Sequence, residues 1–357
     1  MQSAIFETAT EMSSWGKELP LRWIHLETAL DGERDAGSNI LPFHLVVKLA
    51  KDSSLPTSDN EEIILFLRYQ HECGHVIFFK DLPDYIILNP RWLIDAFKCL
   101  VSAHQFQRTL LHLEDWTELE ETGRLTNKLI SKLFEKVPKQ KFMEYREHLL
   151  HIIEKFDIIV KPNNIENMTS YYMPCMIKPS SFNVICDKFD VHTSSCHRTS
   201  WLLLEFEFLP PAFFNHVLVG YIRKFDVSIE NGGRLSLYRG IGVFDIAKLG
   251  CRKLVICADK NLIAFQIWMY GNVLHSTFHD FRHTLTNMVD MLSARYQICC
   301  KYKVKLKCSE SDYQKAEGRF ECKDLQEYKI CFCPEHYMEH ECLDVYKDWF
   351  SDKGDVS

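Results

Sequence analysis

Residues 61–97 read EEIILFLRYQHECGHVIFFKDLPDYIILNPRWLIDAF, and the order of signals in this stretch decides the first half of the fold. Asp59 just upstream, with Glu62 three residues on, is the pattern of a capped helix start. Ile63, Phe66 and Leu67 continue it at helical spacing, and Gly74 supplies a stop. Beyond Gly74 the runs HVIFF and YIILN are rich in β-branched and aromatic residues, with the turn KDLPD between them. Pro90 then suits the first position of another helix, PRWLIDAFKCLVSA.

The same stretch contains His71-Glu72-Cys73-Gly74-His75, a literal H-E-x-x-H. On one continuous helix that spacing sets two imidazoles on one face for zinc, with the glutamate as general base of a metallopeptidase. Here Gly74 and the β-rich run after it put His71 at a helix end and His75 on a strand. A third ligand, sought at Asp95, would sit on a separate helix. The letters match and the context does not, so the peptidase stands as an alternative only.

Working outward, Leu19-Pro20 opens a helix carrying Trp23, Leu26 and Leu30, and a second helix is expected from about Asn39 to Lys51. Three helices followed by a hairpin is the order of a winged-helix unit. A looser copy follows, with helices near 125–136 and 139–154, then FDIIVKP, the polar turn NNIENMTS and YYMPCMI. Residues 180–200 read as a connection. A strand WLLLEFEF, an amphipathic helix LPPAFFNHVLVGYIRKF, strands near 234–247, 252–258 and 262–270, and a long helix over 279–299 come next, with KYKVKLK as a final strand. The expected fold class is α+β: a winged-helix-like helical first half (1–178), an antiparallel-sheet α+β second half (179–307) and a Cys/His-containing tail (308–357).

The 357 residues carry a formal net charge of −7 and are 46 % hydrophobic. The first hundred hold nine basic against fifteen acidic residues, the wrong balance for a nucleic-acid surface. An acidic winged-helix regulator that binds proteins is therefore the second alternative. No apolar run is long enough for a membrane span, and no basic region leads into an apolar one at the start. A cytoplasmic chain with reduced thiols is expected despite fourteen cysteines, which leaves the Asn167-Met168-Thr169 acceptor without meaning. No G-x-x-x-x-G-K-[ST], H-R-D or D-F-G occurs, and the bare G-x-G of RGIGVF reads as a turn or bulge. The tail offers Cys308, Cys322, Cys331, Cys333, His336, His340 and Cys342, side chains that suit tetrahedral zinc. A buried-cysteine strand with two incidental histidines competes with that reading, and no metal, cofactor or catalytic residue is assigned.

Three strings, LPLRWIHLETAL, residues 61–97 and FEFLPPAFFNHVLVGYI, resemble the COR (C-terminal of Roc) domain of Roco proteins over about residues 15–305. The resemblance rests on Trp23, Leu26 and Glu27, then Phe66, Leu67 and Gly74, then Pro90, Trp92 and Leu93. It continues at Leu209, Pro210 and Phe214, and at LYRGIG, where Tyr238 replaces a usual tryptophan. It implies a non-enzymatic scaffold that binds a Roc-type GTPase domain and forms a homodimer to relay nucleotide state. Roco proteins carry that GTPase directly before COR, so the partner is expected in cis in a longer chain, or in trans. The resemblance places Tyr85, Ile86 and Leu88 near the GTPase. Trp201, Phe213 and Phe214 lie in the half associated with dimerisation, where an exposed aromatic cluster would serve as anchor. Plain core packing competes with an interface role for each of the six.

Overall fold

The computed structural model describes residues 18–101, 113–162, 170–231, 233–247, 250–271, 278–298 and 301–350, with residues 6, 8, 10, 11 and 16. The Asn167-Met168-Thr169 acceptor lies outside these. The chain divides into two compact units, residues 1–106 with 133–151 and residues 107–132 with 152–357. The division does not follow the boundaries expected at 178 and 307.

Near the start of the first unit, α1 (Leu21–Asp35) leads through β1 (Ile40–Pro42) into α2 (Phe43–Asp52) and α3 (Asn60–Glu72). The hairpin β2 (Ile77–Phe79) and β3 (Leu82–Ile87) follows, then α4 (Pro90–Val101). The three strands pair in the order β1-β3-β2, with Ile40 opposite Ile87 and Pro42 opposite Tyr85. Strand β1 corrects the expected helix start at Asn39. Pro42 forces Leu41 into extended backbone and lacks an N–H, which suits an edge strand and then the residue before a helix. Asp59 caps α3 by accepting the Glu61 N–H at 3.0 Å, while Glu62 accepts from the Trp23 indole at 3.2 Å and pairs with Arg22. The reciprocal half of the capping box is thus spent on tying α1 to α3. Leu26, Val46, Ile63, Phe66, Phe78 and Ile86 close the core between these elements.

The looser second copy is visible in strand order. Helix α5 (Leu113–Thr122), β4 (Arg124–Leu125), α6 (Asn127–Glu135), α7 (Arg146–Lys155) and β5 (Tyr171–Tyr172) succeed one another, with short 3-10 turns before α7. β5 pairs with β4 on one side and is bridged by Val160 on the other. The last strand of the order is central here, as β3 is in the first copy.

The second unit is built on α8 (Phe182–Lys188), β6 (Cys196–Arg198), β7 (Trp201–Phe206), α9 (Phe213–Lys224), β8 (Asp226–Val227), β9 (Leu237–Tyr238), β10 (Ile241–Asp245), β11 (Arg252–Asp259), β12 (Leu262–Tyr270), α10 (His279–Arg295) and β13 (Tyr302–Lys307). It ends with β14 (Phe320–Glu321), α11 (Cys322–Glu327), the hairpin β15 (Ile330–Cys333) and β16 (Met338–Glu341), and α12 (Cys342–Tyr346). The main sheet runs β14-β13-β7-β12-β11-β10-β8, with β6 also on β12 and β9 on β10. All of these pairings are antiparallel.

Strand periodicity sends alternate residues to opposite faces. Leu202, Leu204, Ile263, Phe265 and Ile267 face α9, α10 and the terminal aromatics Trp349 and Phe350. Trp201, Leu203, Ala264 and Trp268 face α8 and Tyr313. The segment after 308 is therefore no separate tail. The Trp349 indole donates to Ser200 O at 2.7 Å, the Ser200 hydroxyl donates to Val345 O at 2.6 Å, and the Asp348 carboxylate accepts the Ser200 N–H at 2.8 Å.

Between α5 and β4, Gly123 is left-handed (φ +73°), and a Cβ there would stand 2.3 Å from Ile177 Cγ1. Gly123→Ala is expected to lower unfolding free energy by about 2–4 kcal/mol, combining left-handed strain with overpacking. Gly37, also left-handed (φ +96°) but open, is the control. Gly37→Ala should cost only the strain, about 1–2 kcal/mol, in the same urea titration.

Candidate functional site

Of the six residues singled out from sequence, five are core. Ile86, Leu88, Trp201 and Phe213 are fully enclosed and Phe214 nearly so. The expected exposed aromatic cluster is thus corrected. Trp201 turns inward from β7 because its parity matches Leu203, and its indole donates to Ser311 O at 3.0 Å. Phe213 and Phe214 begin the buried face of α9. Tyr85 alone is half-buried, its ring 4.9 Å from His148 and 5.6 Å from Tyr145.

The H-E-x-x-H residues do not form a site. Helix α3 ends at Glu72 and Gly74 turns left-handed (φ +78°), so His75 leaves the helix and its Nδ1 lies 2.8 Å from Gln70 Oε1. His71 instead sets its ring edge toward Phe79.

Four of the seven candidate tail ligands do converge. One ligand atom each from Cys308, Cys333, His336 and His340 lies within 4.8 Å of the others, the one such grouping among the described residues. The two sulfurs are 3.8 Å apart, and His336 Nδ1 is 3.4 Å from each. Both cysteines are buried. Burial works to raise the Cys333 thiol, but the backbone N–H groups of His336 and Glu335, together with hydrogen bonds from Ser311 and Cys308, hold it below its ordinary value. Cys331 turns instead toward Cys342, and Cys322 donates to Val304 O. Both thiols of the C-x-C step lie on one face of β15, but only Cys333 joins the group. Cys308, at the end of β13, completes the group.

A charge hub went unread in the sequence. Asp157, left-handed (φ +57°) just after α7, has a fully buried carboxylate. It accepts from the Arg223 guanidinium of α9 and the Tyr296 hydroxyl, with Arg295 and His216 each at 3.5 Å. Arg223 and Arg295 also donate to Glu154 O and Lys155 O, at 2.8 and 2.7 Å, capping the carbonyl end of α7. Burial alone would raise the Asp157 pKa; the approach of His216, Tyr296 and Arg223 holds it below the usual carboxylate range. The only sequence signal was an aspartate directly after a helical run, a residue that tolerates left-handed backbone.

Residues 20–177 match the family profile of the C-terminal of Roc, COR-A domain. These residues match the COR-A domain of Roco proteins. The COR region spans both copies of the helix–strand order, and Trp23, Glu27, Phe66, Gly74, Pro90 and Trp92 fall inside it. A stretch of 100 residues is 32 % identical to the Probable serine/threonine-protein kinase roco8 of Dictyostelium discoideum, covering 26 % of this chain and 5 % of that protein. The chain thus spans about a twentieth of that relative. The solved structure of Methanosarcina barkeri Roco2 RocCORdC bound to GDP is similar at 12 % identity over 49 % of each chain, with a TM-score of 0.37. Among the described residues, no helix is long and apolar enough to cross a membrane.

Two substitutions probe the COR domain and its junction. Burial depresses His148 to about 4, against about 6.5 in the unfolded chain. Between those values the unfolded chain binds a proton that the folded chain refuses, so stability falls as pH drops from about 6.5 toward 4. His148→Gln should flatten this decline by about 2–3 kcal/mol across the window, measured by urea unfolding at a series of pH values. Asp157→Asn should cost about 2–4 kcal/mol at pH 7, less than a wholly buried pair because both arginines reach solvent. The stability Asp157 confers is present above its unfolded pKa and is lost as pH falls through the lower folded value. The variant should therefore lack the wild type's acid loss below about pH 4.

Proposed function

We propose that this chain is a non-catalytic scaffold whose COR domain binds a Roc-type GTPase domain and which self-associates, so that nucleotide state is relayed through it. The observation that carries this reading is the COR-A match over residues 20–177. The helix–strand–helix–helix–hairpin order of the first unit works, in this reading, as a winged-helix-like docking module for protein rather than nucleic acid. Its acidic balance suits that assignment. Tyr85 on β3 is the contact residue, its ring set against Tyr145 and His148, while its neighbours Ile86 and Leu88 are buried. The face between α1 and α3 offers a second apolar contact, where Leu21, Ile24 and Leu65 are exposed beside a groove lined by Trp23, Arg68 and Lys80. Relay of nucleotide state requires different affinities for the two GTPase states, since equal affinity shifts no equilibrium.

Binding of the chain to an isolated Roc-type GTPase domain, loaded with GDP or a non-hydrolysable GTP analogue, tests the reading by calorimetry. Affinities should differ by about fivefold or more between the two states. Tyr85→Ala should weaken the tighter complex by about tenfold. Absence of binding in both states would remove the GTPase assignment. A strict monomer at tens of micromolar in sedimentation equilibrium would remove self-association.

A further inference from the structure

The Cys308–Cys333–His336–His340 cluster has the dimensions of an ion-binding site. A tetrahedral zinc with Zn–S near 2.3 Å and Zn–N near 2.0–2.1 Å holds its sulfurs about 3.8 Å apart and each sulfur about 3.5 Å from a nitrogen. The structure has 3.8 Å between the sulfurs and 3.4 Å from each to His336 Nδ1. A disulfide is no account of this pair, because bonded sulfurs stand about 2.05 Å apart. His340 contributes from the returning strand β16, and its Nε2 is buried with no hydrogen-bond partner. A buried, unpaired ring nitrogen beside two thiols is costly unless something is bound there.

The surroundings are built to hold these four side chains. Cys333 ends β15, His336 lies in the turn and His340 sits on β16 opposite Cys331, so one hairpin carries three ligands. The turn is anchored by Glu335, whose carboxylate pairs with the enclosed Lys307 at 2.9 Å and accepts the Asp312 N–H at 2.9 Å. Lys307 directly precedes Cys308, so the ion pair brings the fourth ligand to the other three. The Ser311 hydroxyl, 2.9 Å from Cys308 Sγ, supports that thiolate, and the Trp201 indole fixes the Ser311 carbonyl. Two thiolates and two neutral imidazoles neutralise a divalent cation, and mixed sulfur–nitrogen tetrahedra select zinc over magnesium or calcium.

We propose that Cys308, Cys333, His336 and His340 bind one Zn2+ ion, which clips the segment carrying α11, β15, β16 and α12 to the end of strand β13. All four positions are filled by protein, so the ion is structural rather than catalytic. The metal neither requires nor implies anything about the GTPase partner.

The test is elemental analysis of the full chain, purified with reductant from zinc-supplemented medium, together with Co2+ reconstitution after chelation. One zinc per chain is expected, and the Co2+ form should show tetrahedral d–d absorption with a thiolate-to-cobalt charge-transfer band. Cys333→Ser with His336→Ala should lose both signals, while Cys331→Ser, at the neighbouring thiol outside the cluster, keeps them. Chelation of the wild type should loosen the backbone around the exposed Lys315, Lys323 and Lys329, so that trypsin cleaves there faster and before the rest of the second unit. No zinc above the buffer blank and no cobalt spectrum in the folded wild type would overturn the site, without reliance on any variant. Zinc retained by the double variant would overturn the ligand assignment, and unchanged proteolysis on chelation would overturn the clip.

Discussion

Burial of both faces of the β7–β12 pair is the constraint on which the second unit depends. WLLLEF and LIAFQIWMY contribute side chains alternately to two cores, so neither strand has a face to spare for solvent. Helices α9 and α10 must cover one side and α8 the other. The segment after Lys307 completes both, through Trp349 and Phe350 on one face and Tyr313 on the other. A polar group in such a sheet has to be satisfied within it. Gln266 on β12 is fully used: its amide donates to Thr199 O and Ser309 O, and its oxygen accepts the Trp268 indole N–H.

Asp157 plays the matching part where the COR-A region runs into the sheet. Helices α9 and α10 each send an arginine to the end of α7, and both arginines meet the same carboxylate. A carboxylate taken out of water is expensive unless its lone pairs are filled. Here they are filled by groups from two helices, so the charge specifies one arrangement of α7, α9 and α10 rather than merely adding attraction. Apolar contacts between α9 and α10 would tolerate some sliding; a shared ion does not.

Sequence periodicity made the hairpin, the antiparallel sheet and most helices of the second unit legible, because each is driven by local alternation or by a stop such as Gly74. Strand β1 was missed because NILP lies against a helical pattern, and the effect of Pro42 on Leu41 outweighs that pattern. Helix α5 was missed because LEDWTELEET is mostly acidic and polar, with Trp116 and Leu119 as buried apolar anchors. Burial was the least legible property. Trp201, Phe213 and Phe214 looked like exposed anchors because they lie in the half associated with dimerisation, but pairing parity and helix packing bury all three, Trp201 partly under Tyr313. The Cys/His group was half visible: all four ligands were among the seven candidates, but spacing alone could not separate them from Cys322, Cys331 and Cys342, because Cys308 comes from another strand end.

Strand β7 has a further consequence for how the molecule assembles. Leu202 pairs with Phe265 on one side and Leu306 on the other, so the central strand is closed by partners far along the chain. Loop closure over such distances costs entropy before any contact repays it, and sheets of high contact order form slowly. During synthesis WLLLEF leaves the ribosome well before the residues of β12, and longer still before those of β13. Its interval of exposure is therefore set by translation rate as much as by folding rate. The stretch that gives the finished sheet its centre is, for that interval, the part of the chain most in need of a chaperone.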